Sequence, residues 1–276
     1  MLSLRSNSKQ SYRLHGKLHG HSGAIVRLQA TDDGKYLASG GKILWSSILE
    51  THGATTAMVW VKREDNMTLA LVYGTQNSQL VCWQGFKRGG KLVFEESAEI
   101  TGLAFDASSN RLAVCHRGGV IQLWTVADSM ALKFVWSQEF KNYVPRAVAF
   151  SQLEGDERSV LVFPLYGGYI HTLKADKGTV ADSPWHISTN IGDVAVNAQK
   201  GLVCVDEPSS GANLYALSEP HVRTSFPFNT TPGKKRRLRQ IKIAPLSRSQ
   251  LVEKLRVDAH EWVQTVTVSC VNGARA

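Results

Sequence analysis

A short apolar motif that ends in a bulky side chain recurs along the chain at intervals of about forty residues. Tryptophan ends the first three copies, at intervals of 38 and 41 residues, and two weaker copies follow at intervals of 49 and 44. The copies occupy residues 42–45, 79–83, 120–124, 169–173 and 213–217. Self-similarity at a fixed period restricts the fold to architectures built from stacked repeats.

Two further apolar runs precede the motif within each of the first and third units. They are residues 25–28 and 36–40 in the first unit, and residues 100–105 and 111–115 in the third. Residues 108–110, Ser-Ser-Asn, lie between the runs of the third unit, where Asn tolerates a positive φ. The pattern predicts an antiparallel meander of short strands joined by tight turns.

Strands of this kind cannot bury both of their faces within a single unit. Stacking units of about four strands radially gives every sheet two packed neighbours and leaves only short edges. The sequence therefore predicts an all-β fold, a β-propeller of four-stranded antiparallel blades. Five repeats are recognisable, and the blade number is left open at five, six or seven, with an incomplete C-terminal end.

The first unit resembles a repeat of the WD (tryptophan-aspartate) family. Gly20-His21 stands upstream, Ser39 lies in the second run, and Trp45 closes the third. The resemblance implies that His21, Ser39 and Trp45 share a buried hydrogen-bond network. It covers about residues 10 to 230, and Tyr12–Leu18 is interpreted as an outermost strand.

The sequence departs from the family pattern at two kinds of position. The turn Asp that completes the network in the family has no counterpart, because Gly41 leads directly into the third run. The residues after the closing tryptophans are Ser46, Gln84 and Thr125, where the family has Asp. An incomplete buried network is destabilising. A truncated or degenerate propeller without an independent function therefore remains an alternative.

Residues 231–276 are predicted to be a basic tail outside a propeller of residues 1–230. The tail holds ten Lys or Arg against three acidic residues, so it carries +7 of the net charge of +9. Helical spacing of apolar residues over 249–262 and alternation over 265–271 predict a short helix and a strand. An incomplete last blade is the alternative.

A run of cationic side chains lies near the start of this tail. It is a candidate nuclear localisation signal, or a contact for nucleic-acid phosphates in a nuclear propeller, although a solvated loop ahead of a strand is the simpler explanation. Without interleaved aromatic residues, sequence-specific recognition of nucleic acid is not supported. The residues are Lys234, Lys235, Arg236, Arg237 and Arg239.

The sequence predicts no catalytic residue, cofactor or metal site, and hence no enzyme. Cys82, Cys115, Cys204 and Cys270 are far apart, so we expect reduced and mostly buried thiols. A second cluster of potential ligands, His15, His19 and His21, lacks a fourth ligand nearby, and packed or hydrogen-bonded imidazoles are expected.

The first residues lack the apolar run of a secretory signal, and no stretch approaches the length of a membrane span. We therefore expect an intracellular protein, in the cytoplasm, the nucleus or both. No membrane partner is expected, and the chain is predicted to be a monomer within a larger complex.

The resemblance implies a protein-interaction scaffold whose loops bind protein or peptide partners on one propeller face. That face carries the loops before each first strand and between each second and third strand. Tyr and Arg are enriched at interface hot spots. The candidate contact residues are Gln76, Asn77, His116, Arg117, Asn142, Tyr143 and Tyr166.

Overall fold

The computed structural model describes most of the chain between residues 25 and 243, and one short segment after it. The described residues are 25–31, 36–41, 53–63, 69–84, 91–95, 98–152, 158–181, 185–187, 189–197, 201–207, 211–217, 219–226, 239–243 and 264–268. Within these ranges the regular structure is all β, with no helix. Consequently, these ranges contain no helix with the length and apolar character needed to cross a membrane.

The strands are short and follow one another through tight turns. In chain order they are β1 (Ile25–Ala30), β2 (Leu37–Gly41), β3 (Thr55–Lys62), β4 (Leu69–Thr75), β5 (Gln79–Gln84), β6 (Lys91–Glu95), β7 (Ile100–Asp106), β8 (Arg111–His116), β9 (Val120–Val126), β10 (Leu132–Glu139), β11 (Pro145–Gln152), β12 (Arg158–Pro164), β13 (Gly168–Tyr169), β14 (His171–Lys174), β15 (Val180–Ala181), β16 (His186–Ile187), β17 (Asp193–Asn197), β18 (Leu202–Glu207), β19 (Gly211–Ala216), β20 (Glu219–Phe226), β21 (Arg239–Ile243) and β22 (Gln264–Val268).

Four sheets of four antiparallel strands correspond to the second to fifth predicted units. Their strand orders are β3-β4-β5-β6, β7-β8-β9-β10, β11-β12-β14-β15 and β17-β18-β19-β20. β1 and β2 pair antiparallel as the start of the first blade, and β13 pairs with β16. The predicted all-β fold of four-stranded blades is confirmed, and the arrangement is consistent with a β-propeller.

The first strands of successive blades lie side by side. β1 is next to β3, β3 is next to β7, β7 is next to β11, and β11 is next to β17. β21 extends this series because it packs beside β17 and β18. The first strand of each blade is therefore its innermost strand, and β21 occupies the corresponding place after the fifth blade.

β21 and β22 pair in parallel, unlike the antiparallel strands of the blades. β22 (Gln264–Val268) overlaps the segment 265–271 for which a strand was predicted, and the organisation of the tail stays a prediction. The domain boundary at residue 230 stays a prediction, although β21 follows it and still packs on the fifth blade. The predicted helix over 249–262 and the predicted strand Tyr12–Leu18 lie outside the described residues.

The second strand of a blade is apolar on both faces because each face meets a different neighbouring blade. In β8, Leu112 and Val114 pack into a core shared with the second blade. Ala113 and Cys115 point the other way, into a core shared with the fourth. The same alternation occurs in β12, between the third and fifth blades. Alternate side chains along the second strand thus pack each blade against both of its neighbours.

The tight turns use the residues that the sequence indicated. Asn110, between β7 and β8, has a φ of 51°, which confirms the positive φ expected there. Gly119, between β8 and β9, has a φ of 90°. Its amide donates to the carbonyl of His116 at 3.0 Å, and its carbonyl accepts from the amide of Phe140 at 3.0 Å. A Cβ at Gly119 would overlap the carbonyl oxygen of Phe140.

Gly119→Ala should lower the free energy of unfolding by at least about 2 kcal/mol, since an L side chain is strained at this φ and meets backbone atoms. Gly118→Ala is the matched control, because its Cβ would meet only the Ala98 Cβ, at 3.5 Å. We expect the control to change stability by no more than about 0.5 kcal/mol. Urea denaturation followed by circular dichroism measures the stability of both variants. Equal stabilities would contradict the tight turn with a positive φ at Gly119.

Candidate functional site

Backbone hydrogen bonds in four blades tie the turn between the second and third strands, or in the fifth blade the end of the second strand, to the segment that leads into the innermost strand. Each has a nitrogen to oxygen distance of 2.8 Å. These turns and segments form one face, called the turn face below. The bonds run from Gln76 to Ala54, from Arg117 to Glu99, from Leu165 to Val144 and from Gly192 to Asp206.

The turn face carries all seven candidate contact residues, but not all of them are exposed. The five exposed residues are Gln76, Asn77, Arg117, Asn142 and Tyr166. His116 was predicted to lie in a loop, but it is the last residue of β8 and only 2% exposed. Tyr143 is partly buried. A role in partner binding stays a prediction for all seven.

Arg117 and Tyr166 belong to one exposed group that links the third and fourth blades. The Arg117 guanidinium, in a side chain that is 59% exposed, contacts the Glu99 carboxylate at 3.0 Å. Hydrogen bonding to Glu99 raises the pKa of Arg117, with a smaller contribution from the Tyr166 hydroxyl. Tyr166 is 63% exposed. This contact group of Arg117, Glu99 and Tyr166 combines an aromatic ring with charges of both signs.

His116 takes part in a buried polar network of the third blade. Its Nε2 lies 3.4 Å from Gln122 Oε1, and the Trp124 indole donates to that same oxygen at 3.2 Å. Its Nδ1 lies 3.4 Å from the carbonyl of Ala98. Trp124 is the residue that closes the third copy of the repeat. Gln122 joins His116 to Trp124 and was not among the residues that the sequence pattern indicated.

Tyr143 stabilises the fourth blade from beneath the turn face. Its hydroxyl donates to the carbonyl of Val162 at 2.8 Å, with the carbonyl of Tyr169 at 3.3 Å. Its ring centroid lies 5.6 Å from that of Phe140 and 4.8 Å from that of His171. Burial raises the pKa of its hydroxyl. These contacts give Tyr143 a structural role.

Charged residues from four blades converge where the innermost strands begin. Arg27 of β1 interacts electrostatically with Arg146 of β11, Asp193 of β17 and Glu99, which precedes β7. Burial is the main cause that lowers the pKa of Arg27 to about 10, and the positive charge of Arg146 lowers it further. We call these four residues the inner charged cluster. They could not be identified from the sequence, because they are spread over four of the five predicted units.

Backbone carbonyls of neighbouring blades hold both arginines of this cluster. The Arg27 Nε donates to the carbonyl of Thr56 in β3 at 2.6 Å. The Arg146 Nε donates to the carbonyl of Gly192, next to β17, at 2.7 Å. Arg27 is only 9% exposed, and its Nη1 has no hydrogen-bond partner. The cluster is therefore positioned by the packing of the blades.

The family-derived network and the candidate nuclear signal fall mostly outside the described residues. Ser39 is exposed in β2, whereas His21 and Trp45 are not described. Residues 234–237 are not described either, and Arg239 is the first residue of β21. Both assignments stay predictions.

Three cysteines are described, and all three are buried, which confirms the burial expected for them: Cys82, Cys115 and Cys204. Burial raises the pKa values of Cys115 and Cys204 to about 12. Among the residues that the structure describes, no three His, Cys, Asp or Glu side chains are grouped so as to hold a metal ion. His15, His19 and His21 lie outside the described residues.

Comparison with known proteins places a recognised repeat at the N-terminal end of the chain. Residues 12–42 match the family model described as WD domain, G-beta repeat. The match includes β1, β2 and the Gly20-His21 pair. No curated protein matches the chain significantly.

Tyr143→Phe should lower the free energy of unfolding by about 1 to 2 kcal/mol, because it removes a partly buried hydrogen bond. Tyr166→Phe is the matched control at an exposed ring and should leave stability nearly unchanged. Chemical denaturation of both variants measures the difference. A stability loss confined to Tyr166→Phe would contradict the structural role of Tyr143.

The buried thiols should be inert towards an aromatic disulfide reagent in the folded protein. At about pH 8, a thiol with a pKa of about 12 has a thiolate fraction roughly a thousandfold below that of a thiol with the ordinary pKa of 9.0. The Cys270→Ser variant removes the fourth cysteine from the measurement. We expect labelling only after addition of denaturant, and rapid labelling of the folded variant would show that the cores are open.

Proposed function

Because the repeat match and the four-stranded antiparallel blades support the WD-repeat family for this chain, we propose that it is a non-enzymatic scaffold whose turn face binds a protein or peptide. WD40 domains generally mediate protein–protein interactions, and the proteins that contain them are typically non-enzymatic scaffolds. The proposal assigns this general role to the turn face and to its exposed residues.

The contact group is the observation that carries this assignment. Tyr166 leaves most of its ring in solvent, and Arg117 lies beside it. Tyr and Arg are the residue types that most often contribute the energy of protein interfaces. The Glu99 carboxylate holds the Arg117 guanidinium in place, and a fixed side chain loses less conformational entropy on binding. The group therefore supports a contact with a folded partner or an extended peptide.

The backbone of the turn face also favours binding. Hydrogen bonds between the turns and the segments before the innermost strands hold four blades in the same way. A prearranged surface avoids much of the cost of ordering loops when a partner binds. We propose that the partner lies across several blades and that the chain acts inside the cell as one subunit of a larger complex.

The Arg117→Ala/Tyr166→Ala double variant tests this function. Wild-type protein and variant are immobilised and exposed to an extract of the source cells, and retained proteins are quantified, purified and titrated. Loss of hot-spot side chains should weaken the affinity for a true partner by at least about tenfold.

Lys133→Ala/Phe134→Ala is the matched control, because it removes one cation and one aromatic ring from the exposed outer strand β10. Partners of the turn face should bind this control like the wild type. Equal binding by all three proteins, or a loss with the control alone, would move the interface elsewhere. The absence of any partner retained above a denatured sample would refute the scaffold function.

A further inference from the structure

We propose that the inner charged cluster recognises an acidic side chain, a carboxylate or a phosphate, of a peptide bound on the turn face. The inference rests on the proposed function and adds the chemistry of the partner. The cluster lies where the innermost strands begin, on the same side of the blades as the contact group. Glu99 belongs to both, so the two sites are continuous.

Arg27 supplies the first reason. The residue is only 9% exposed, and within the described part of the chain its Nη1 atom has no hydrogen-bond partner. A buried donor without an acceptor is unfavourable, and the penalty is larger for a charged group than for a neutral one. Among the described residues, its Nε donates to the carbonyl of Thr56, which is neutral. An oxyanion from a ligand would supply the acceptor and the negative charge together.

Arg146 supplies a second cation close to the first. Its Nε is held by the carbonyl of Gly192, which is neutral as well. Two guanidinium groups repel each other, and the repulsion decreases when an anion binds near both. Planar guanidinium groups match the geometry of carboxylate and phosphate, with which they form paired hydrogen bonds.

Three acidic residues lie near the cluster and set its charge. Glu99 is bound by Arg117 at 3.0 Å and shares its charge with that exposed side chain. Asp193 is the other carboxylate that interacts with Arg27. The buried Asp206 carboxylate also lies against Gly192, so three carboxylates stand against three arginines and the formal charges balance. The unsatisfied Nη1 of Arg27, rather than an excess of charge, favours an acidic group over a neutral or a basic one.

The test uses the full chain and four pools of short peptides with random flanks and a fixed central residue. That residue is glutamate, phosphoserine, glutamine or lysine. Wild type should retain the glutamate or the phosphoserine pool about tenfold more than the glutamine pool, as expected for a charge-assisted hydrogen bond. The lysine pool should be retained least, and the ratio of the two acidic pools separates carboxylate from phosphate.

Arg27→Gln should abolish the preference for acidic pools, and Arg146→Gln should reduce it. Lys133→Gln removes one positive charge from β10, away from the cluster, and should retain the wild-type preference. Circular dichroism melting verifies that each variant is folded. If Arg27→Gln does not fold, Arg146→Gln decides the outcome, because its side chain is less buried.

A second measurement separates a peptide site from a site for free anions. The melting temperature of each protein is compared in potassium phosphate and in potassium chloride of equal ionic strength. A ligand that binds only the folded state raises the melting temperature. Phosphate should stabilise the wild type and Lys133→Gln more than Arg27→Gln.

The possible results distinguish a failure of this inference from a failure of the proposed function. Acidic preference that disappears with Arg27→Gln supports the inference. Equal retention of all pools, or an acidic preference that survives in both arginine variants, overturns the inference and leaves the proposed function intact. A selective phosphate effect without retention of any pool would mean a site for free anions alone. If neither the acidic preference nor the phosphate effect is observed, the inference is overturned. The partner experiment above then decides the proposed function independently.

Discussion

Burial of each blade between two neighbours is the constraint on which the rest of the structure depends. A single four-stranded sheet has two apolar faces and cannot cover either of them. Leu112 and Val114 in β8 therefore need the second blade, whereas Ala113 and Cys115 need the fourth. Because all the cores are shared in this way, the position of one blade determines the position of the next. The innermost strands follow one another for the same reason.

This stacking also explains where the charged and exposed residues are. The innermost strands begin at the same end of every blade, so residues far apart in the chain meet there. Arg27 and Asp193 interact across this region, although they belong to the first and fifth blades. The turns between second and third strands surround them and present Arg117 and Tyr166 to solvent. The inner charged cluster and the exposed residues of the turn face thus arise from one geometric arrangement.

The candidate site was only partly predictable from the sequence. Turn residues such as Gln76 and Asn142 are exposed, as expected for short connections between strands. Tyr143 lies in the same connection as Asn142, and His116 is the last residue of β8, yet hydrogen bonds to backbone carbonyls and to Gln122 hold both side chains inside. A single sequence cannot separate the two groups, because polarity and turn position are alike in both. What differs is the packing of the adjacent strand.

The sequence by itself determined the repeat, the strands and the turns, because strand pairing within a blade is local and leaves a pattern of period two. The tertiary structure alone decided which blades touch, which side chains are buried and which charges meet. Arg27 and Arg146 illustrate the difference, since their separation in the chain contains no signal of their proximity. The placement of β21 beside β17 is another case. Such contacts depend on the stacking of whole blades, which no local pattern records.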